Sequence, residues 1–309
     1  MEFIYRKKTM LDPEITIPGN QTISHHIGVV TVSFGSGDVL GPFLSTLVEA
    51  STRTLEIVVA DNKPSVSLDE VQRLAREFGA RYLPLPSNLG YGHAINAAVE
   101  LLSPEIDWIL ISNPDVTLSP GAIDALLATA QSDSLVAAVG PRILSSNGDT
   151  YPSARTIPSL RSGVGHALFS NLWPSNPWTR RYRSETPAMP LQRDAGWLSG
   201  ACLLIRRTVF LELQGFDESY FMYFEDVDLG YRIGKLGLRN VYEPAAVVVH
   251  TGAHSTQENA GQMIRAHHDS AVKFLSKKYS GWARWPLRVA LGVGLGLRSH
   301  LEGTRNTKR

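Results

Sequence analysis

With 309 residues, 43% of them apolar, the chain is long enough to bury a large core, which excludes a fibrous or wholly disordered protein. A net charge of +1 argues against nucleic acid as a general partner, and the lone Cys202 allows no intrachain disulfide, which points to a reducing, cytoplasmic compartment. The first residues lack the apolar core of an export signal, and no run of ~20 apolar residues predicts a bilayer span.

Residues 1–25 carry Pro13, Pro18 and Gly19 without sustained periodicity and read as a disordered arm. A strand over Ile27–Phe34 is followed by a turn at Gly35–Asp38 and a helix over Val39–Ala50. A second strand, Leu55–Ala60, ends in Asp61-Asn62; a helix over Leu68–Phe78 and a strand over Arg81–Leu85 come next. Strands alternating with helices at this spacing predict a doubly wound, parallel α/β sheet. In Asn88-Leu-Gly-Tyr-Gly-His-Ala-Ile-Asn96 two glycines open a helix running to about Leu102. Backbone N–H groups at such a start favour an anionic or polar ligand, although the dinucleotide fingerprint G-x-G-x-x-G is absent.

The apolar run Trp108–Ile111 reads as a buried parallel strand stopped by Asn113-Pro114-Asp115. Ligands bind beyond the carboxyl ends of such strands, so Asp115 lies at the mouth of a crevice, where a carboxylate suits a hard divalent cation bound to phosphates. A helix over Ser119–Ala130, capped by Ser119 with Pro120 at its first position, leads to a strand over Leu135–Val139 and a hairpin at Asn147-Gly148. Residues 151–190, rich in Pro, Ser, Arg and Trp, read as an ordered excursion over the site. Gly196–Ile205 returns as one buried strand, and Arg207–Leu213 as a short helix.

Glu225, Asp226 and Asp228 then open a helix near Phe224, with Glu225 and Asp228 on one face and Asp226 roughly 100° away. The aromatic surroundings predict a raised carboxyl pKa, which suits a general base. Two strands, Arg239–Tyr242 and Ala246–Val249, end at His250, whose neutral imidazole can complete a metal site with Asp115. A helix over Asn259–Tyr279 presents His267 and His268 on a solvated face. From Lys273 to Arg309 there are nine Lys/Arg against one acid, Glu302, so the rest of the chain carries a net −7. A basic end on an acidic body predicts peripheral contact with an anionic membrane.

The motifs VSF…ADN, NLGYGHAIN, SNPDV and YFMYFEDVDLGYR…VVVH resemble, in order, the inverting family 2 glycosyltransferases of the GT-A fold, over about residues 27–255. Within that family YPSAR, NPWTRRYR, GWLSGACLLIRR, AHST and PLRVALGVGLGLRSHL are similar to the actinobacterial rhamnosyltransferases of cell-wall linker assembly. The resemblance implies a GT-A catalytic domain over 26–255, split into a nucleotide-binding half (26–118) and an acceptor half (119–255), and a helical, membrane-docking region over 256–309. It implies dTDP-rhamnose as donor, a polyprenyl-diphosphate-linked sugar (N-acetylglucosaminyl-diphospho-decaprenol) as acceptor, a divalent metal (Mg or Mn), and a place at the inner face of the plasma membrane.

By position in the motifs Asp226 matches the base and Asp115 and His250 the metal ligands, with Asn113 standing where the wider family has the first Asp of D-x-D. Asp61 matches the contact to the pyrimidine; Asn88, Gly90, Tyr91, Gly92, Asn96 and Asn113 line the nucleotide pocket; Trp197, Glu225 and Asp228 bind the acceptor or orient the site. Another nucleotide-sugar donor or acceptor is the main alternative. A sugar-phosphate nucleotidyltransferase is a second, weakened because Gly35-Ser-Gly-Asp38 is acidic where that class has a basic phosphate loop.

Overall fold

A computed structural model describes residues 26–63, 70–159, 191–252 and 260–280. The expected N-terminal arm, most of the 151–190 excursion and the C-terminal basic segment lie outside them. β1 (His26–Ser33) is buried on both faces from Ile27 onward and pairs in parallel with β2 (Leu55–Asp61) and β4 (Ile106–Ser112). β3 (Arg81–Pro84) adds in parallel to β2. The two-residue side-chain period divides these strands between two cores. Ile27, Val29 and Leu110 pack toward α1 (Gly37–Ala50), α2 (Glu70–Glu77) and α4 (Ala122–Gln131); Val30, Ile109 and Ile111 pack toward α3 (Tyr91–Val99).

The sheet continues β4-β11-β6-β12-β5, where antiparallel strands join the mostly parallel sheet that the GT-A resemblance implies. β11 (Cys202–Arg206) runs antiparallel between β4 and β6 (Val136–Leu144), β12 (Arg239–His250) runs parallel to β6, and β5 (Val116–Leu118) antiparallel to β12. An apolar run encodes two-sided burial, not direction, so Cys202–Ile205 reads the same either way. The Asn147-Gly148 hairpin joins β6 to β7 (Thr150–Tyr151), with Gly148 at φ 87°.

The predicted strand Gly196–Ile205 is two strands. β10 (Trp197–Leu198) pairs with β8 (Ala154–Arg155), and a turn at Ser199–Ala201 separates it from β11. The helix predicted from Pro120 begins instead at Ala122: the Gly121 amide, at φ 71°, donates to the Glu49 carbonyl at 2.9 Å and turns the chain first. The two strands predicted before His250 are one, with a register shift between Glu243 and Val247 where Pro244 lacks a donor. β9 (Arg193–Ala195) covers the other side of β12. α5 (Arg207–Glu212) and α6 (Glu225–Lys235) follow the chain order expected, and α7 (Ala260–Lys278) docks through the fully buried Phe274.

Register places the site. Ser33 lies opposite Asp61 and Thr31 opposite Ser112, so the carboxyl ends of β1, β2 and β4 share one rim. Antiparallel β11 starts at that rim, Cys202 opposite Ser112, and β12 ends there, His250 opposite Val116.

Candidate active site

Asn113, Asp115 and His250 meet at this rim. Oδ1 of Asp115 is 3.1 Å from Nε2 of His250, and Nδ2 of Asn113 is 3.4 Å from the same nitrogen. The Gly252 amide donates to Oδ2 of Asp115 at 3.1 Å, and the Thr251 amide to its carbonyl at 3.1 Å. Burial raises the Asp115 carboxyl pKa, but hydrogen bonding and charge from His250 and the backbone amides outweigh it and hold the group below the usual carboxylate range. Neighbouring ligands on an octahedral ion at about 2.1 Å stand about 3 Å apart, so the Asp115–His250 pair fits a divalent cation completed by phosphate and water. Among the described residues no cluster of three or more His, Cys, Asp or Glu provides a closed, all-protein site.

A turn links this pair to the carboxylates of α6. The Asn113 amide donates to the Ala201 carbonyl at 2.9 Å, and the Gly200 amide donates to Oδ2 of Asp226 at 3.0 Å. Oδ1 of Asp226 accepts from the Val227 amide at 2.8 Å. Glu225 and Asp228 are buried on the inner face and Asp226 is half-buried, as the helical spacing predicts. Burial raises both Glu225 and Asp226 above the carboxylate range; the charge of Asp226 adds to it at Glu225, while amide hydrogen bonds and Arg155 oppose it at Asp226. Adjacent carboxyls of this kind titrate as a pair. Among the described residues Oε2 of Glu225 has no hydrogen-bond partner.

Asp228 is committed elsewhere. It accepts from Nε of Arg232 at 2.6 Å, and the same guanidinium donates to the carbonyls of Leu213 and Gly215 at 2.8 and 2.9 Å. It therefore orients the loop leading into the site. That loop ends with Tyr223 at φ 67° and Phe224 at φ 69°, a left-handed pair costing about 1–3 kcal/mol per residue. Offsetting contacts hold it: Ser270 Oγ donates to Met222 O at 2.9 Å, the Asp228 amide to Phe224 O at 2.8 Å, and Phe274 packs on Phe224 with centroids 5.8 Å apart. His267, though exposed, lies 5.5 and 5.3 Å from the rings of Tyr223 and Phe224, so its face is not simply solvated.

The glycine-rich stretch serves this loop more than a ligand. A Cβ on Gly90 (φ 108°) would lie 2.3 Å from the Phe221 carbonyl, which accepts from the Tyr91 amide, and one on Gly92 would lie 2.9 Å from Phe216. The chain itself thus approaches both glycines closely, and the first amide of α3 donates to Phe221. Asn88 Oδ1 accepts from the Gly90 amide at 3.0 Å. Asn96 accepts from the Phe216 amide and donates to its carbonyl, each at 2.9 Å, and donates to Glu218 Oε1 at 3.0 Å, which makes it a brace for residues 216–218. The Tyr91 hydroxyl donates to the Gly200 carbonyl at 2.9 Å. Burial, then the charges of Glu225 and Asp226, and more weakly of Asp115, push its pKa well up.

Asp61 is fully buried at the end of β2. Oδ2 accepts from the Tyr82 hydroxyl at 2.9 Å and Oδ1 from the Lys63 amide at 3.0 Å. Residues the sequence reading passed over stand on the same rim. Phe34 is 45% exposed with Nζ of Lys63 at 5.3 Å from its ring, and Arg155 lies over the rings of Trp197 and Tyr151 at 5.7 and 5.6 Å. The motif YPSAR contained Arg155, but only the β8–β10 pairing brings it to Trp197.

Residues 25–268 match the family described as glycosyltransferase like family 2. Over 290 residues the chain is 45% identical to the N-acetylglucosaminyl-diphospho-decaprenol L-rhamnosyltransferase of Mycobacterium tuberculosis, covering 91% of this chain and 94% of that protein. It is 26% identical over 260 residues to rhamnosyltransferase WbbL of Escherichia coli, covering 81% and 92%. Its fold is similar to that of a mannosyltransferase from Pyrobaculum calidifontis solved with GDP-Man and Mn2+, with a TM-score of 0.56 at 16% identity over 91% of this chain and 72% of that one.

Proposed function

This chain belongs to glycosyltransferase-like family 2, and from that premise we propose that it moves L-rhamnose from dTDP-rhamnose to N-acetylglucosaminyl-diphospho-decaprenol at the inner face of the plasma membrane. The observation that carries the reading is the 45% identity to the mycobacterial rhamnosyltransferase across nearly the full length of both chains. The family match sets aside the nucleotidyltransferase alternative.

Transfer with inversion needs one displacement and no enzyme nucleophile. The acceptor oxygen forms its bond to the anomeric carbon as the bond to the dTDP oxygen breaks, and the acceptor's proton passes to Asp226, the half-buried carboxyl with a raised pKa. Asp115 and His250 would hold a divalent cation, which when bound neutralises the departing diphosphate. Asp61 would accept a hydrogen bond from the thymine ring N–H, and Trp197 with Arg155 would face the acceptor. Residues 26–118 would form the donor half and 119–255 the acceptor half.

The test is transfer to lipid. Purified protein is incubated with N-acetylglucosaminyl-diphospho-lipid and labelled dTDP-rhamnose, UDP-galactofuranose or UDP-N-acetylglucosamine. Label should enter lipid from dTDP-rhamnose alone; efficient transfer from either other donor overturns the reading.

A further inference from the structure

A groove of about 460 Å³ separates α7 from the loop before α6, lined by Ser219, Phe221, Arg265, Asp269, Ser270 and Lys273. Arg265, Asp269 and Lys273 follow one another at i, i+4 and i+8 and so share one face of α7. Two cations against one carboxylate leave the groove positive; Lys273 Nζ also donates to the Ser219 carbonyl and Ser270 Oγ to Met222 O. Phe221, 48% exposed, supplies an apolar edge.

Its position gives the groove a use. The wall formed by Phe221 and Met222 is pinned to α3 through the Tyr91 amide and to α7 through Ser270, and the same chain reaches Asp226 five residues after Phe221. Five residues span at most about 18 Å, so the Phe221 edge of the groove lies within that distance of Asp226 by chain length alone. The metal pair Asp115–His250 lies on a different wall, beside β5 and β12.

Resting on the acceptor proposed above, we infer that this groove binds the acceptor's diphosphate, with the sugar lying across the Phe221–Phe224 loop toward Asp226. A sugar joined to two phosphates is anionic at one end only. A cationic groove on the acceptor side, separate from the metal pair that would take the donor's diphosphate, orients the hydroxyl end to the base. Arg265 supplies the forked donor geometry suited to phosphate, and Asp269 limits affinity so that product leaves.

The test uses the full chain, with Arg265→Gln and Asp269→Asn as variants. Calorimetry with geranyl diphosphate measures the groove without turnover; kinetics with N-acetylglucosaminyl-diphospho-lipid and with the uncharged octyl N-acetylglucosaminide measure it in the reaction. Arg265→Gln should weaken geranyl diphosphate and raise the KM of the diphospho-acceptor by roughly tenfold, a charged hydrogen bond's contribution. Asp269→Asn should tighten both, a gain that misfolding does not produce. Donor KM and transfer to the uncharged glycoside should not change. Equal affinity of wild type and both variants for geranyl diphosphate overturns the inference, whatever the transfer activity. If binding shifts in both directions as expected but the wild type transfers no rhamnose to the lipid, the groove stands as a diphosphate site and the acceptor assignment fails.

Discussion

The Gly200 amide donates to Oδ2 of Asp226 at 3.0 Å while the Gly200 carbonyl accepts from the Tyr91 hydroxyl at 2.9 Å. One residue thus joins the carboxyl proposed as base to the ring at its centre. With Oδ1 held by the Val227 amide, the carboxyl is fixed in orientation and still has lone pairs for an acceptor hydroxyl.

Asp226→Asn keeps this geometry but cannot take a proton. Its kcat should fall by roughly 10²–10⁴, the usual contribution of general-base catalysis, with the Kd for dTDP-rhamnose unchanged in calorimetry. Because the acting form is the carboxylate and its pKa is raised, kcat/KM should climb with pH at a higher pH than an ordinary Asp would give. Wild-type turnover in the Asn variant would move the base elsewhere.

Glu225→Gln should spare most of the activity and change stability with a definite sign. The folded state holds the Glu225 proton more tightly than the unfolded chain does, so wild-type stability falls as pH rises from the ordinary carboxylate range through the raised value. The variant has no such loss. Its Tm relative to wild type should therefore increase between pH 5 and pH 9; a constant difference would mean that Glu225 ionises normally.

Tyr91→Phe removes a single hydroxyl and leaves the Gly200 carbonyl without that donor, a cost of about 1–3 kcal/mol if the carbonyl stays buried. The turn that presents an amide to Asp226 should loosen. Turnover should drop and the acid limb of the pH profile should shift, while donor KM stays constant. A change in donor KM alone would mean that Tyr91 acts through the nucleotide pocket and not through the Gly200 turn.

What the sequence made legible was local. β1, β2 and β4 carry their burial in the run of apolar residues, and Glu225, Asp226 and Asp228 carry their faces in the helical period. Strand direction is written in no single segment, so the antiparallel course of β11 was not legible. Gly90, Gly92 and Asn96 suggested a ligand because close approach looks the same whether a phosphate or Phe216 and Phe221 arrive, and those aromatic residues lie 120 or more positions further on. Asp115 and His250 were paired from the sequence by motif, and the β5–β12 register puts them together.

Asp115→Ala should abolish turnover and His250→Ala should reduce it less, because a carboxylate contributes charge to a hard cation as well as a donor atom. Both should weaken Mn2+ binding measured by electron paramagnetic resonance without substrate. Full wild-type activity in excess EDTA would sink metal participation. Normal Mn2+ affinity in Asp115→Ala would place the ion elsewhere.

Membrane docking is expected from the segment that follows α7. Pro286–Leu297 is apolar for about twelve residues, roughly 18 Å as a helix against a ~30 Å hydrocarbon core, so it is too short to span. Among the described residues no helix is long and apolar enough to cross a membrane. Trp282 and Trp285 precede the segment and Arg284, Arg288 and Arg298 bracket it, a composition suited to the headgroup level. α7 itself is tied to the site, with Phe274 buried against Phe224 and Tyr231 and Lys277 paired with Asp217. Docking just beyond α7 would therefore hold the carboxyl pair near the level of a lipid-linked sugar diphosphate. A chain ending at Ser280 keeps all of α7, so its comparison with the full chain isolates the segment. With anionic liposomes the full chain should float and the shortened chain should not, and the binding should weaken as salt rises. Equal flotation of the two rejects the segment as anchor, and salt-insensitive flotation of the full chain rejects the charge contribution while leaving the apolar one.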